Sequence, residues 1–424
     1  MKRYVICGIS NRAMTMFIKP MLQQFHEEST IVGLLDNDPL RFQICKDAYK
    51  ELQHIPVFLA DQFEKMIEET KPDYVIVASR DDTHVDYILA ALKENIHVIT
   101  EKPMVTNARD ANKVLEAESK STGKVIVTFN YRYNPFHRKI KEMILEGKLG
   151  RITSIDLNWY MDTYHGSSYF RRWNRKRDLS GGLSVHKSTH HFDLVNWWLD
   201  QKPEEVFAFG GLHYYGPEGE LNPQKEDGRY CSTCDVKDSC HYFVRWNARS
   251  GAIQVKDDHL LSGVFQNDPP YTDYRPDACI FDSEIDIEDT YVATVKYDRG
   301  TLLSYSINFS APYEGYRLSI NGTKGRLETT EYHEPSRIPF EYPEQTIDFF
   351  PLFGSKETIQ LVKSPGGHGG GDPILLEDIF LGPDPLRDYD IQAGAEAGAY
   401  SIAVGEGVWR SVLEKRSISI KELV

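Results

Sequence analysis

Ile96-His97-Val98-Ile99-Thr100-Glu101-Lys102-Pro103 is the stretch on which the fold of this chain turns. It is apolar and β-branched up to Thr100, then becomes charged and meets a proline. It therefore reads as a buried strand with a lysine ammonium at its carboxyl end. Ligands of open α/β sheets bind at that end. Working outward, Arg3 to Cys7 and Ser29 to Leu35 read as two further strands, the second closing on Asp36, with a helix from Asn11 to Phe25 between them. Lys71-Pro72-Asp73 introduces a strand from Tyr74 to Ala78, and Asp82 is placed to cap a helix running to Lys93. Val125 to Phe129 supplies one more strand. Strands alternating with helices predict a parallel, doubly wound α/β sheet over residues 1–130.

A chain of 424 residues exceeds one ordinary core and predicts a second domain over 131–424. Its pattern differs from the first. A helix from Pro135 to Glu146 stops at Gly150, a strand follows from Ile152 to Tyr160, and a single helix is expected to carry His186 to Leu199. Thr290 to Tyr297, Thr301 to Asn308 and Gly315 to Asn321 alternate in polarity and are separated by turn signals such as Asp298-Arg299-Gly300, which predicts an α+β domain with a largely antiparallel sheet. Residues 210–286 are rich in Gly, Pro, Asp and Cys, lack periodicity and read as an insertion.

With 41% hydrophobic and 26% charged residues the composition is that of a soluble globular protein. The formal charge of −14 argues against a nucleic-acid partner, because phosphate contacts need clustered cations. The one basic run, Arg171 to Arg177, suits a solvated face, pairing with carboxylates, or an anionic group on a substrate. No apolar run is long enough to span a bilayer and the amino terminus lacks a long apolar segment, so a cytoplasmic location is expected.

Gly8-Ile9-Ser10-Asn11-Arg12-Ala13, between the first strand and helix, lies where a dinucleotide fingerprint would carry glycines at its first, third and sixth places. Ser10 replaces the middle one; its hydroxyl is a potential donor to phosphate, and the helix start remains an anion site. Asp36, with Asn37 beside it, ends the second strand where an acid accepts hydrogen bonds from ribose hydroxyls and repels a 2′-phosphate. That favours NAD over NADP. The plainer reading of Asp36 is that it opens a turn.

Together with Ala78-Ser79-Arg80-Asp81-Asp82-Thr83-His84, Glu101-Lys102-Pro103, Asn130-Tyr131-Arg132-Tyr133-Asn134-Pro135 and Gly181-Gly182 through Asp193, this order of motifs resembles the Gfo/Idh/MocA oxidoreductases. The resemblance spans nearly the whole chain outside the insertion. It implies a Rossmann domain followed by a domain whose open sheet builds a homodimer or homotetramer. It places Gly8, Ser10, Asn11 and Arg12 on the pyrophosphate, Asp36 on the adenosine ribose, and Ala78, Ser79, Asp81 and His84 on the nicotinamide side, with Asp81 standing where the family more often has Asn. It further implies that Glu101 and Lys102 are the signature pair, and that Asn130 and Arg132 enter the substrate cleft.

In Gly181 to Asp193 the family commonly shows an Asp, four residues on a His, and three further an Asp. This chain has His186, His190 and Asp193 at those places. On one helix His186 and His190 would share a face. His190 is the expected general base or acid, because oxidation of an alcohol releases a hydroxyl proton, and Lys102 would polarise the oxygen. Replacing the anion by His186 should make Lys102 and His190 hold protons less firmly, with Lys187 adding to the effect. His186 as a simple backbone hydrogen-bonder is the structural alternative. Zinc on His186, His190 and His191 lacks a further ligand at fixed spacing.

Tyr164, His165, Tyr169, Arg172 and Trp173 occupy the stretch where the family builds its pocket wall, and such aromatic and polar groups suit a sugar or cyclitol. Gly366-Gly367-His368-Gly369-Gly370-Gly371-Asp372 is a glycine segment able to bring His368 over the cleft, or else a linker into a helix beginning near Pro373. Cys231, Cys234 and Cys240 have near-metal spacing; with His241 or Cys279 as a fourth ligand they would hold a structural zinc, and otherwise they are buried or redox-paired thiols. The expected activity is an NAD-linked dehydrogenase or reductase for a sugar, sugar derivative or cyclitol. The rivals are a glycoside-cleaving enzyme that uses bound NAD for transient oxidation, and a non-catalytic NAD-binding regulatory protein.

Overall fold

The strands in chain order are β1 Lys2–Cys7, β2 Ser29–Asp36, β3 Val57–Leu59, β4 Tyr74–Val77, β5 His97–Thr100, β6 Val125–Val127, β7 Ile152–Asp162, β8 Pro203–Gly211, β9 Thr290–Tyr297, β10 Leu302–Ala311, β11 Gly315–Gly322, β12 Gly325–Tyr332, β13 Thr346–Pro351, β14 Glu357–Gln360, β15 Ala393–Gly394 and β16 Ile418–Ser419. The computed structural model describes residues 1–243, 274–360, 366–387 and 389–424, so the part of the insertion from 244 to 273 lies outside the described residues.

The first sheet has the order β15-β6-β5-β4-β1-β2-β3. Strands β1 to β6 are parallel, as crossover helices require, and β15 is antiparallel at the edge. β4 and β5 are almost wholly buried, the mark of a sheet covered on both faces. The covering helices include Phe63–Thr70, His84–Lys93 and Ala108–Ser119. Lys71, left-handed at φ 43°, terminates the first of these, and the Asn107 side chain caps the last by accepting from Asp110 N–H. Asp82 does not cap the helix as expected; its carboxylate takes both ends of the Arg80 guanidinium, and a short 3₁₀ turn precedes the helix at His84.

The second sheet has the order β14-β13-β12-β11-β7-β10-β9-β8-β16 and is antiparallel except where β10 runs alongside β7. β9 alternates strictly, with Tyr291, Ala293, Val295 and Tyr297 inside and Val292, Thr294 and Lys296 outside. The inner face packs on helices Thr189–Leu199 and Ala395–Glu414, and among the described residues the outer face leaves Phe209, Val292 and Leu302 exposed. Trp159, Tyr305 and Tyr316 are fully buried there, each contributing roughly 2–3 kcal/mol of transfer free energy.

Two expectations need correction. The helix from His186 to Leu199 is broken into Leu183–His186 and Thr189–Leu199, with Lys187 and Ser188 between them, so His186 and His190 do not share one helical face. The chain also crosses back over residue 130, since β15 joins the first sheet beside β6 and the long helix Ala395–Glu414 packs on Ala108–Ser119. The described part of the insertion adds Tyr215, Tyr242, Ile280 and Phe281 to the main core; Tyr215 stacks on Phe170 at 4.1 Å, bracing the helix Thr163–Phe170.

Candidate active site

The loops that follow β1, β4 and β5, three adjacent strands, meet at the carboxyl ends of the first sheet. Gly8 has φ +87°, and a Cβ there would lie 2.3 Å from Ser79 Cα, so only glycine lets the β1 turn pass the β4 loop. The Ser10 hydroxyl donates to Ala78 O at 2.9 Å and accepts from Ala13 N–H at 3.1 Å. It ties the two loops and caps the helix, rather than standing free as a phosphate donor. Asn11 and Arg12 open that helix half-buried. Arg12 Nε bonds Glu101 at 2.8 Å and Nη1 bonds Asp372 at 3.2 Å.

Asp36 is buried and accepts from Ile9 N–H at 2.6 Å and Asp38 N–H at 3.0 Å. Burial raises its carboxyl, while those two N–H groups and Arg41 oppose the rise. The turn role and the ribose role coexist, since a carboxylate has about four acceptor positions. Asn37 is exposed at the rim. A tight glycine turn, a helix opening behind it and an acid at the end of β2 fit a dinucleotide.

His84 lies beneath this surface, with one ring nitrogen 3.0 Å from Pro103 O and the other 3.2 Å from Ser79 O. It cross-links the β4 and β5 loops through these two carbonyls. The Ser79 hydroxyl likewise pairs with Thr83 at 2.7 Å.

Lys102 reaches across to the second domain and donates from Nζ to His186 O at 3.0 Å. Burial lowers its pKa, with Asp81 and Glu101 opposing. The two departures from the family pattern meet here: Asp81 Oδ2 lies 2.5 Å from His186 Nδ1. Burial pushes the Asp81 carboxyl up to about 7, against His84 and Lys102, and holds the His186 imidazole well below its usual value with help from Lys102 and Lys187. The carboxyl group missing from position 186 is supplied from the β4 loop.

His190 opens the helix Thr189–Leu199, 2% exposed, with its ring 4.6 Å from Tyr131 and 5.9 Å from His368. Its Nδ1 is buried without a hydrogen-bond partner among the described residues. Burial, then Lys102 and Lys187, keep the ring neutral at physiological pH. Lys187 Nζ lies 3.4 Å from Tyr131 OH and over the Tyr131 and Trp159 rings; burial brings its pKa to about 8, with Glu314 opposing. His191 turns the other way, stacked on Trp159 at 3.7 Å.

The wall is the helix Thr163–Phe170 and the turn after it. Tyr169 donates to His165 Nε2 at 2.9 Å, and His165 Nδ1 donates to Glu314 at 3.0 Å. Tyr169 and Trp173 both meet the His186 ring edge-on, at 5.4 and 5.6 Å. Tyr164 lies under Arg337, and half-buried Arg172 acts electrostatically on Tyr169. Glu314, Tyr131 and Asp372 belong to the site and were given no role in the sequence; Tyr131, inside the Asn130-to-Pro135 motif, and Asp372, ending the glycine segment, carried a signal there, and Glu314 carried none.

Several expected substrate contacts are structural. Arg132 is buried in a two-bond pair with Asp193, at 2.8 and 2.6 Å, and donates to Asp390 O. The basic run anchors the return arm of the insertion: Arg175 bonds Glu284, and Arg177 bonds Glu288, each at 2.8 Å. It is not an anion site. Cys231, Cys234, Cys240 and Cys279 line one cavity of about 20 Å³, while His241 is exposed. Among the described residues no three His, Cys, Asp or Glu side chains are set to hold a metal ion.

A doubly wound domain with a dinucleotide turn, joined to a second domain across a lysine–histidine cleft, defines a nicotinamide-dependent oxidoreductase. The chain belongs to the Gfo/Idh/MocA oxidoreductases: residues 2–129 match the family's NAD-binding Rossmann fold and residues 141–420 its C-terminal alpha/beta domain. It is 69% identical over 424 residues, 100% of this chain and 99% of the other, to the protein named "Putative oxidoreductase YteT" of Bacillus subtilis (strain 168). It is 30% identical over 151 residues, 34% of this chain and 39% of the other, to an inositol 2-dehydrogenase of Rubrobacter xylanophilus. The WlbA dehydrogenase of Bordetella pertussis, solved with NADH and UDP-GlcNAcA, has the same fold at a TM-score of 0.65 and 17% identity, over 99% of this chain and 97% of that one. No helix among the described residues is long and apolar enough to cross a membrane.

Proposed function

We propose that the protein oxidises or reduces an alcohol or keto carbon of a sugar, sugar derivative or cyclitol, in the cytoplasm. Bound NAD, favoured over NADP by Asp36, supplies the hydride acceptor or donor. The observation that carries the reading is that Lys102 of one domain bonds His186 O of the other and acts electrostatically on His190, whose buried Nδ1 has no hydrogen-bond partner among the described residues. A buried orphan of this kind calls for a ligand. Lys102 donates to the reacting oxygen, and neutral His190 holds or returns the hydroxyl proton. Tyr169, Trp173 and Tyr131 offer ring faces and a hydroxyl to a polyol. The inositol 2-dehydrogenases and the 1,5-anhydro-D-fructose reductase among its relatives support that substrate class.

The test is to incubate the purified protein and NAD with sugars, inositols and glycosides while following reduced nicotinamide and released aglycone together. Stoichiometric reduced nicotinamide is expected, and Lys102→Met or His190→Asn should lower kcat by about 10²–10⁴. Aglycone released without it would replace the reading by redox-assisted glycoside cleavage. Neither signal would favour a non-catalytic NAD-binding protein.

Two further assignments belong to the same proposal. The outer face of the second sheet carries Phe209, 70% exposed, opposite Val292, 53% exposed, and suits a homo-oligomeric contact. In the insertion, Cys279 rather than His241 lines the cavity shared with Cys231, Cys234 and Cys240, and these are free thiols. Free thiols and no zinc per purified chain are expected, and one zinc per chain would refute the assignment.

A further inference from the structure

Residues 366–372 run from the second domain to the dinucleotide turn. His368, Gly369 and Gly370 are all left-handed, at φ 53°, 66° and 90°, so the strap coils tightly enough to lie against Asn130 and Asn134. A Cβ at Gly371 would sit 2.4 Å from Asn130 O, and one at Gly369 would sit 2.4 Å from Asn134 Nδ2. These glycines are there for close approach, which the linker reading does not require.

What the strap delivers is a chain of polar contacts between the two halves of the site. Asp372 Oδ2 takes Arg12 Nη1 at 3.2 Å, and Asp372 Oδ1 takes Asn130 Nδ2 at 2.6 Å. His368 Nδ1 lies 3.1 Å from both Asp372 oxygens and 2.9 Å from Asn130 Nδ2. The far side of the imidazole faces the cleft, 5.2 Å from the Tyr131 ring and 5.9 Å from that of His190. Arg12 stands in the pyrophosphate turn and is 31% exposed, whereas its two carboxylate partners, Glu101 and Asp372, are 9% and 14% exposed. The guanidinium is therefore the most accessible member of the cluster, the one for which an arriving pyrophosphate would compete.

We infer that Arg12, Asp372 and His368 form a cofactor-sensing link: Asp372 is shared between Arg12 and His368 in this structure, and a dinucleotide pyrophosphate that draws Arg12 away leaves the histidine beside the cleft held by a carboxylate no longer paired with Arg12. Asp372 is then a positioning residue, and His368 joins His190 beside the substrate. The other charged or titratable groups facing His368 are Lys187 and His190 from the two cleft helices, Tyr131 after β6, and Glu331 of β12, which borders Gly369. Burial lowers the His368 pKa, Asp372 opposes this, and Arg12 and Lys187 lower it further. Withdrawing Arg12 removes one of the depressing charges, so His368 gains proton affinity as the cofactor binds.

The inference rests on the NAD-binding reading, and the test separates the two. NADH is titrated into the full chain by calorimetry near pH 6, in buffers of different ionisation enthalpy. Wild type should show net proton uptake, lost in His368→Gln and in Asp372→Asn. Asp372→Asn should also bind NADH more tightly, by up to about fivefold, because Arg12 loses a partly exposed carboxylate partner worth about 1 kcal/mol at most. Adenosine, which has no phosphate, should cause no uptake. NADH binding without uptake, or uptake that persists in His368→Gln, overturns the link and leaves the cofactor reading intact. No NADH binding by correctly folded wild type overturns both.

Discussion

The Asp81–His186 contact gives the sharpest test of how this cleft is built. The family pattern has Asn and Asp at these two positions, in that order, and this chain has Asp and His, joined at 2.5 Å with side chains 6% and 12% exposed. If the pair is one functional unit, Asp81→Asn and His186→Asp should each damage the site and the double variant should recover much of the loss. Removing one member of a buried hydrogen-bonded pair with a charged partner costs about 1.5–3 kcal/mol. His186→Asp adds a second carboxyl at hydrogen-bond distance from Asp81, and the two cannot both ionise cheaply. A coupling of about 1.5–3 kcal/mol corresponds to roughly 10-fold to 150-fold in kcat/KM. The assay is kcat/KM on the best substrate for all four proteins, with urea midpoints measured alongside. Effects that add to within about 0.5 kcal/mol would refute the unit. The sign of the pH dependence is also set. The folded Asp81 carboxyl is raised to about 7, so its protonated form stabilises the fold below the usual carboxylate range, and that contribution is lost as pH rises through 7. Asp81→Asn should therefore lose less stability than wild type on going from pH 4 to pH 7, whatever its own starting stability.

Three further outcomes follow from the geometry. Arg132→Met should destabilise the protein by about 3–5 kcal/mol in urea titrations by leaving Asp193 buried and uncompensated, and adding Asp193→Leu should restore most of that; an Arg132→Met variant that stays stable but loses substrate affinity would return Arg132 to the substrate. Gly8→Ala should cost about 3 kcal/mol or more and abolish NADH binding by calorimetry, since its Cβ meets the Ser79 backbone at 2.3 Å and φ is +87°. Phe209→Glu should shift the protein to a smaller assembly in light scattering behind a sizing column, and an unchanged mass would move the contact elsewhere on the surface.

The parts of this molecule that could be read from the chain are those set by local periodicity. β1, β2, β4 and β5 each announce themselves through a short β-branched run and a polar stop, and the antiparallel hairpins of the second sheet through alternation and glycine turns. The histidine helix misled, because its apolar pattern continues through a break at Lys187 and Ser188 that periodicity does not register. Arg132 misled differently: position in a motif placed it at the cleft, but its direction was settled by Asp193, 61 residues away. The short strand β15 was missed because two residues carry no period.

What no local pattern could show is which departures from the family belong together. Asp81 and His186 lie 105 residues apart and in different domains, and each looks like a loss when taken alone. One puts an acid where an amide is usual, and the other puts a base where an acid is usual. Brought to 2.5 Å they become a single rearrangement that keeps one carboxyl near Lys102 and moves it from the helix side of the cleft to the nucleotide side. The Asp81 carboxyl reaches His186 from the Rossmann loop, and Lys102 makes its bond to His186 O across the same boundary, so His186 is the point at which both groups of the nucleotide side meet the second domain.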